Sequence, residues 1–504
     1  MPKARLRFAP SPTGYLHIGS LRTALFCYLA AKSLDGELIL RIEDTDQKRE
    51  VEGAVEDLIE ILDWVGIKFN EGPDLKRAAT NGAHANEIRM GGEYGPYIQS
   101  QRIGIYKKYA DELIKSGKAY YCFCSQERLQ KNARRSTGKK KLPPRYDRCC
   151  RELTKPEIEK KLKNKEEFVI RQKMPLSGEV VVRDELRGEI KFKAEDMDDH
   201  VLIKSNHIPT YHFALVVDDH LMEITHVIRG EEWIPSFPKN ILLYKDFGWQ
   251  PPKFYHMPLT LNKEGGKLSK RQGDVAVEDY KKNGYLREAL INFSVLLGWH
   301  PKDDQELFTL KELEKKFKLD DMGTSPAIFD IEKLDYINGY YIRQMDLEKL
   351  VELCRPYLKD NLTKTQKHKN TKTHFIKKVV ALEQERLKKL SEIGELTEFF
   401  FVDKLEYPAE LLIWKKLTSK EVKANLEKVY ELLNKIPDEN WTNDSIEDAL
   451  ITYIKAKKEK VGNYLWPMRA SLTGRQASPG PFDVAEVLGK KISLNRIKEG
   501  INKL

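Results

Sequence analysis

Apolar residues in the first hundred positions come in short runs divided by polar turns, and the runs change period along the chain. Ala4 to Ala9 reads as a strand, and Ser20 to Ala31 carries the apolar periodicity of a helix. Leu38-Ile-Leu-Arg41-Ile reads as a buried parallel strand that ends in the polar cluster Glu43-Asp44-Thr45-Asp46. Alternating strand and helix signals over residues 1–104 predict half of a doubly wound α/β sheet. The same alternation returns from Tyr211 to about Leu261, with Phe213-Ala-Leu-Val-Val217 expected as the next buried strand. Residues 105–208 between the two halves read as an insertion, with strand-like runs at Phe168-Val-Ile-Arg171 and Glu179-Val-Val-Val-Arg183. After residue 331 the chain is almost entirely helix-periodic, as in His374 to Leu390 and Ser419 to Ile436, with lysines on the polar faces and no alternating strands.

At 504 residues the chain is too long for one core, so two to four domains are expected. The formal net charge of +10 suits a polyanionic partner. No apolar run approaches membrane-spanning length, and no apolar leader opens the chain, so a cytoplasmic protein is expected. The polar stretch Lys76 to Gly91 reads as a surface loop.

Two runs about 250 residues apart carry the chemistry. Phe8-Ala-Pro-Ser-Pro-Thr-Gly-Tyr-Leu-His17-Ile-Gly19 joins the first strand to the first helix, so a bound anion there faces a helix N-terminus. Pro10, Pro12 and Gly14 shape a tight approach, and His17 can donate a hydrogen bond to charge developing on a phosphate. The second run, Gly265-Gly-Lys267-Leu-Ser-Lys270-Arg271, sets two lysines three apart after a flexible glycine pair. An ammonium on a four-carbon stem is a mobile point charge that can follow a triphosphate through transfer. Neither run is a Gly-x-x-x-x-Gly-Lys-Ser/Thr loop, and no Gly-x-Gly-x-x-Gly fingerprint opens the chain, so phosphate-loop and dinucleotide readings lose ground.

Ligand sites in open α/β sheets lie beyond the carboxyl ends of strands, which places the Glu43 cluster where a substrate would sit. Arg7, on the first strand, and Arg229, in Val227-Ile-Arg-Gly-Glu-Glu-Trp233, are two guanidinium forks that an acidic substrate would satisfy. The ordinary alternative for either is a salt bridge to Glu43, Asp44 or Asp46. Four of the six cysteines cluster, as Cys122-Phe-Cys124 and Cys149-Cys150. Disulfides are rare in the cytosol, and two thiolates from the first pair with one or two from the second could close a tetrahedral zinc site. Between the pairs, Arg134-Arg135 to Lys139-Lys-Lys141 is a basic loop that either is solvated or brushes a nucleic-acid backbone.

His17-Ile-Gly-Ser20 and Lys267-Leu-Ser-Lys-Arg271 resemble the HIGH and KMSKS signatures of class I aminoacyl-tRNA synthetases. Arg7-x-Ala-Pro-Ser-Pro-Thr-Gly14, Arg41-Ile-Glu-Asp-Thr-Asp46, Pro209-Thr-Tyr211-His-Phe-Ala, Val216-Val-Asp-Asp219-His and Tyr255-His-Met-Pro258 narrow the resemblance to the bacterial-type glutamyl branch. The resemblance spans nearly the whole length and is most specific before residue 275.

That resemblance implies an ATP-dependent ligase forming a glutamyl-adenylate from L-glutamate and passing it to the terminal ribose of tRNA-Glu. Arg7 and Arg229 would hold the carboxylates of glutamate, Glu43 its amino group, with Ser11 and Tyr211 lining the pocket and Trp233 packed beside it. Pro12, His17, Gly19, Lys267 and Lys270 would meet ATP, accompanied by Mg²⁺, with His17 and the two lysines stabilising the reacting phosphates. Cys122, Cys124, Tyr146 and Cys150 would hold Zn²⁺; Glu152 replaces a histidine found in relatives, and Cys149 rivals Tyr146 as fourth ligand. Leu215 stands where many relatives carry asparagine, which would remove or replace a polar pocket contact.

The implied architecture is a Rossmann-type catalytic domain in two halves (1–104 and 209–261), an acceptor-stem-binding insertion with the zinc site (105–208), a helical junction carrying the lysine loop and Ala289 to Leu297 (262–330), and helical anticodon-binding domains (331–504). A helical C-terminal part separates this branch from glutaminyl enzymes, which read the anticodon with β-barrels. Arg386 resembles a residue near the anticodon end; an arginine on such a lysine-rich helix is otherwise a solvated charge. A monomer is expected, with no membrane partner. The alternatives are a non-discriminating form that also charges tRNA-Gln and a non-catalytic zinc-containing RNA-binding relative.

Overall fold

A computed structural model describes residues 3–46, 51–75, 88–89, 91–130, 146–266, 276–364 and 373–504. The chain divides into one unit of Met1–Lys281 with Arg287–Ile331 and a second of Lys282–Leu286 with Glu332–Leu504.

Four short strands of the first unit form a parallel sheet in the order Lys253–Met257, His226–Gly230, Arg5–Phe8, Glu37–Leu40. The winding direction reverses between the first strand and His226–Gly230, which makes the gap between their carboxyl ends the topological switch point. Parallel pairing needs crossover helices, and these cover both faces. Helix Ile18–Ser33 is buried almost all round because it lies between the strands and the helices Arg287–Leu296 and Leu310–Lys316. Phe26 meets Phe317 edge-on there, with ring centres 5.5 Å apart. On the opposite face, Ile39, Val227 and Phe254 join a core with Phe213–Val217, Phe237 and Tyr244.

Phe213–Val217, expected from its composition to be a buried strand, lies instead in the helix Tyr211–Leu221. All of Phe213–Asp219 is buried, so the helix shows no polar stripe and its five-residue apolar run carries no period to separate helix from strand. Leu215 is fully buried in this core and does not line the functional cleft.

The segment after residue 105 adds an antiparallel sheet in the order Ala119–Cys122, Val169–Gln172, Val201–Ile203, and a hairpin of Glu179–Asp184 with Gly188–Lys193. Burial alternates strictly along Glu179–Asp184, the signature of a half-covered strand. The hairpin tip docks on the free edge of the parallel sheet, where the Glu185 N–H donates to the Phe254 carbonyl at 2.8 Å. Asp74–Leu75 and Ile88–Arg89 pair as a small antiparallel ribbon. Most of the polar stretch anticipated as a surface loop (76–87 and 90) and the basic loop 134–141 lie outside the described residues.

Among the described residues the second unit is helical throughout. Ser419–Asn434 shows why: Thr418 and Glu421 form a capping box, and Val422, Leu426, Val429 and Leu433 make one buried stripe. Thr373–Glu383 is shorter than the periodicity of 374–390 suggests. The Arg496 guanidinium is buried, and carbonyls of Leu472, Phe399 and Val402 each accept from it at 2.7 Å. No described helix is long and apolar enough to cross a membrane.

Candidate active site

Side chains alternate across a pleated sheet, so the strand register decides what faces the switch point. Arg7 pairs with Ile39, Val227 with Phe254, and Arg229 with His256. Two-residue steps from the apolar members of that set carry Arg41, Arg229 and His256 to the same face as Arg7. The helix Tyr211–Leu221 covers this face and supplies Asp218 and Asp219, both almost fully buried.

A cleft of about 1350 Å³ opens over the carboxyl ends of the strands. Arg7, Glu43, Tyr211 and Arg229 line its inner wall, and Ser11, Pro12 and His17 line the turn that leads to the first helix. Trp233 completes the wall and stacks on Tyr211, with centroids 4.4 Å apart. Gly19 reaches the site through its N–H, which donates to His17 Nδ1 at 3.0 Å. That bond makes the imidazole the N-cap of the helix and leaves the ring proton on Nε2. Gly14, at φ +141°, turns the chain into the His17 segment in a conformation that side chains resist.

The two arginines differ in what holds them. Arg7 is 4% exposed, and its Nε donates to both oxygens of Asp219 at 3.1 and 3.3 Å. Neither Glu43, Asp44 nor Asp46 is its partner. Arg41 also reaches Asp219, at 2.7 Å, and donates to Glu43 Oε1 at 2.9 Å. Burial raises the pKa of Glu43, against the pull of Arg41 and Arg7.

Arg229, 5% exposed, has neutral partners. Its Nε donates to His256 Nε2 at 3.0 Å and its Nη2 to Asn240 Oδ1 at 3.1 Å, while Nη1 is buried with no partner in hydrogen-bond geometry, and the neighbouring Tyr211 hydroxyl, also neutral, favours the charged guanidinium. Burial lowers its pKa. Among the described residues no carboxylate forms an ion pair with it, so a buried cation borders the cleft without an anion.

Lys267, Lys270 and Arg271 lie outside the described residues. The chain that follows them is tied to the His17 turn: Ala276 forms a β-bridge with His17, and the Val277 N–H donates to the Leu16 carbonyl at 2.9 Å.

Cys122, Cys124 and Cys150 bring their sulfurs within 4.8 Å of one another. Cys124 and Cys150 are 3.6 Å apart, close to the ~3.8 Å edge of a tetrahedron with zinc–sulfur bonds. Tyr146 Oη lies 3.1 Å from Cys122 and 3.7 Å from Cys124, and Cys149 Sγ lies 3.1 Å from Cys124. The donor set therefore fits zinc, with either Tyr146 or Cys149 near enough to complete it. Hydrogen bonding from Cys150, aided by Tyr146, draws the Cys122 thiol down to about 4 against the effect of burial. Arg128 donates to Cys124 at 3.2 Å and places a positive charge beside the cysteine cluster.

In the second unit Arg386 is not a free solvated charge. It pairs at 2.9 Å with Glu383, whose carboxyl burial pushes up to about 7 against Arg386 and Arg475.

Sequence reasoning missed the support behind Arg229. His256 and Asn240 sit in apolar stretches where a polar residue reads as an ordinary core member, and Asp184 joins them from 72 residues before His256. A fully buried aspartate closing an alternating strand is the one signal that marks it.

Residues 3–336 match the family model of class I tRNA synthetases (E and Q), catalytic domain, and residues 349–501 match an anticodon binding domain. The chain is 45% identical to the glutamate–tRNA ligase of Clostridioides difficile over 500 residues, covering 98% of each. It is likewise 45% identical to that of Clostridium botulinum (strain Loch Maree) over 505 residues, covering 100% of this chain and 99% of the relative. The crystal structure of a glutamate tRNA ligase from Elizabethkingia meningosepticum in complex with its amino acid superposes with a TM-score of 0.85 at 35% identity, covering 99% of both chains.

Proposed function

Since the chain belongs to the glutamate–tRNA ligases of class I and so ligates glutamate to tRNA, we propose how its cleft divides the work. Arg7 and Arg229 hold the carboxylates of L-glutamate, Glu43 accepts from the amino group, and Ser11 and Tyr211 close the pocket beside Trp233. The observation that carries this is Arg229: a buried guanidinium with neutral partners and an unpartnered Nη1 is expensive without an anion, and a carboxylate supplies one.

ATP lies against the helix N-terminus at Pro12, His17 and Gly19. His17 Nε2–H donates toward the triphosphate, and Lys267 and Lys270 neutralise charge as it builds on the leaving pyrophosphate. Mg²⁺ accompanies the phosphates and supplies further charge neutralisation. An oxygen of the α-carboxylate attacks the α-phosphorus, the bond to the bridging oxygen breaks, and pyrophosphate leaves. The terminal ribose hydroxyl of tRNA then attacks the acyl carbon and AMP departs. Positioning and charge do the catalysis, so no protein nucleophile is required.

Residues 105–208 receive the acceptor end, 262–330 carry the lysine loop, and 331–504, with Arg386, meet the anticodon end of tRNA-Glu. Zn²⁺ held by Cys122, Cys124, Cys150 and Tyr146 braces the insertion. The decisive test is ATP–pyrophosphate exchange with tRNA present. Exchange that needs glutamate supports the assignment; exchange indifferent to glutamate contradicts it.

A further inference from the structure

Arg229 is oriented by a chain of buried groups that ends outside the parallel sheet. Asp184, at the tip of the 179–193 hairpin, is fully buried and its carboxylate is saturated by N–H donors. Leu186 and Arg187 donate to Oδ1 at 3.0 and 2.9 Å, and the backbone and Nδ1 of His256 donate to Oδ2 at 3.0 and 2.7 Å. An ionised carboxylate accepts only, so the proton of His256 is fixed on Nδ1 and the lone pair on Nε2. That lone pair takes the Nε–H of Arg229. With the other tautomer two N–H groups would collide.

We infer that Asp184 and His256 are positioning residues for glutamate binding, acting through Arg229. The inference rests on the reading of Arg229 as a substrate carboxylate's partner. Asn240 fixes Nη2 from the other side, and Phe237 and Phe254 flank the guanidinium, with ring centres 5.7 and 5.2 Å from its carbon. The fork is thus held at two nitrogens while Nη1 remains for a ligand. A carboxylate in place of His256 would orient the fork equally well but would discharge it. The neutral imidazole orients without neutralising, and the anionic partner that sets its tautomer sits one ring farther away.

The test uses the full-length enzyme in tRNA-dependent ATP–pyrophosphate exchange. His256→Phe suits a pocket already lined by Phe237 and Phe254, but it removes the acceptor and leaves Arg229 Nε buried without a partner. The glutamate KM should rise about tenfold or more, with the ATP KM within about twofold of the parent. His256→Gln keeps an oxygen able to accept from Nε and should recover most of the loss. Asp184→Ala should share the glutamate-selective rise of His256→Phe. Equal KM values for the Phe and Gln variants, or glutamate and ATP KM values rising together, would overturn the inference. An unchanged glutamate KM in Asp184→Ala removes Asp184 from it. Arg229→Ala separates the two levels: if it leaves the glutamate KM unchanged, the reading of Arg229 itself falls. If it raises that KM while His256→Phe does not, only the positioning role falls.

Discussion

Arg7 and Arg229 are both almost fully buried in the wall of the same cleft and meet opposite electrostatic surroundings. Arg7 shares Asp219 with Arg41, so its charge is matched inside the protein, whereas Arg229 has an imidazole and an amide. The unmatched member contributes more to an incoming carboxylate, because its desolvation is already complete and no internal ion pair must be broken. Arg229→Ala should therefore raise the glutamate KM roughly 100-fold while the ATP KM moves little. Lys270→Ala should instead slow adenylate formation by about 100-fold with the glutamate KM nearly unchanged. Rapid-quench measurements across both substrates distinguish the two, and matched losses in both variants would contradict the roles. Motif spacing made Arg7, Glu43, His17 and Arg229 legible as candidates because each lies at the end of a recognisable strand or turn. Asp184 and His256 were not, since their meaning lies in a contact between strands distant in sequence, one of them outside the sheet.

Elements are where period and burial part company. The run Phe213–Val217 looks like a core strand because every residue is apolar, but a helix covered on all sides carries the same composition. The flanking Asp218 and Asp219, buried by ion pairs with Arg102, Arg41 and Arg7, complete a helix whose polar residues point inward too. Strand pairing also shapes titration. His226 lies directly across from Lys253, and burial, with that lysine, holds its imidazole down at about 4. The unfolded chain takes up the proton near pH 6.5. The folded state thus binds fewer protons between those values, and the contribution of this group is intact above about pH 6.5 and shrinks as pH falls toward 4. Replacing His226 with Asn removes that titration, so urea unfolding should shift in the variant's favour between pH 7 and pH 5. A constant difference would show the histidine to be uninvolved. The cysteine cluster gives an element-level prediction as well. The purified chain should carry about one zinc by elemental analysis, and Cys122→Ser should lose it with a fall in the melting temperature. Tyr146→Phe should lower zinc retention more than Cys149→Ser; the reverse order would make Cys149 the fourth ligand.

At the scale of the molecule, two units built on different physics share one chain. The first buries parallel strands between helices and sets the buried charges of Arg7, Arg41, Glu43 and Asp219 near the carboxyl ends of those strands. The second is a stack of amphipathic helices whose lysines face water. The helical character of the second unit was readable from the change in apolar period near residue 331, because helices such as Ser419–Asn434 bury one apolar stripe and leave a polar face outward. A net charge of +10 and a polyanionic substrate predict that tRNA binding is salt-sensitive. Raising monovalent salt from about 50 to 200 mM should increase the KM for tRNA by about tenfold or more, with the KM for glutamate changing far less, since a buried pair is poorly screened. Parallel changes would argue that phosphate contacts contribute little.

The docking of the 179–193 hairpin on the edge strand has a consequence for protein engineering. Asp184 belongs to the segment between the two halves of the parallel sheet, yet it is hydrogen-bonded to His256 within that sheet. A chimaera that imports another enzyme's version of residues 105–208 would keep Arg7, Ser11, Glu43, Tyr211 and Arg229, the side chains proposed to hold glutamate. Unless the graft carries an aspartate at the hairpin tip and seats it against the same strand, such a hybrid should recognise its new acceptor yet lose grip on its old amino acid.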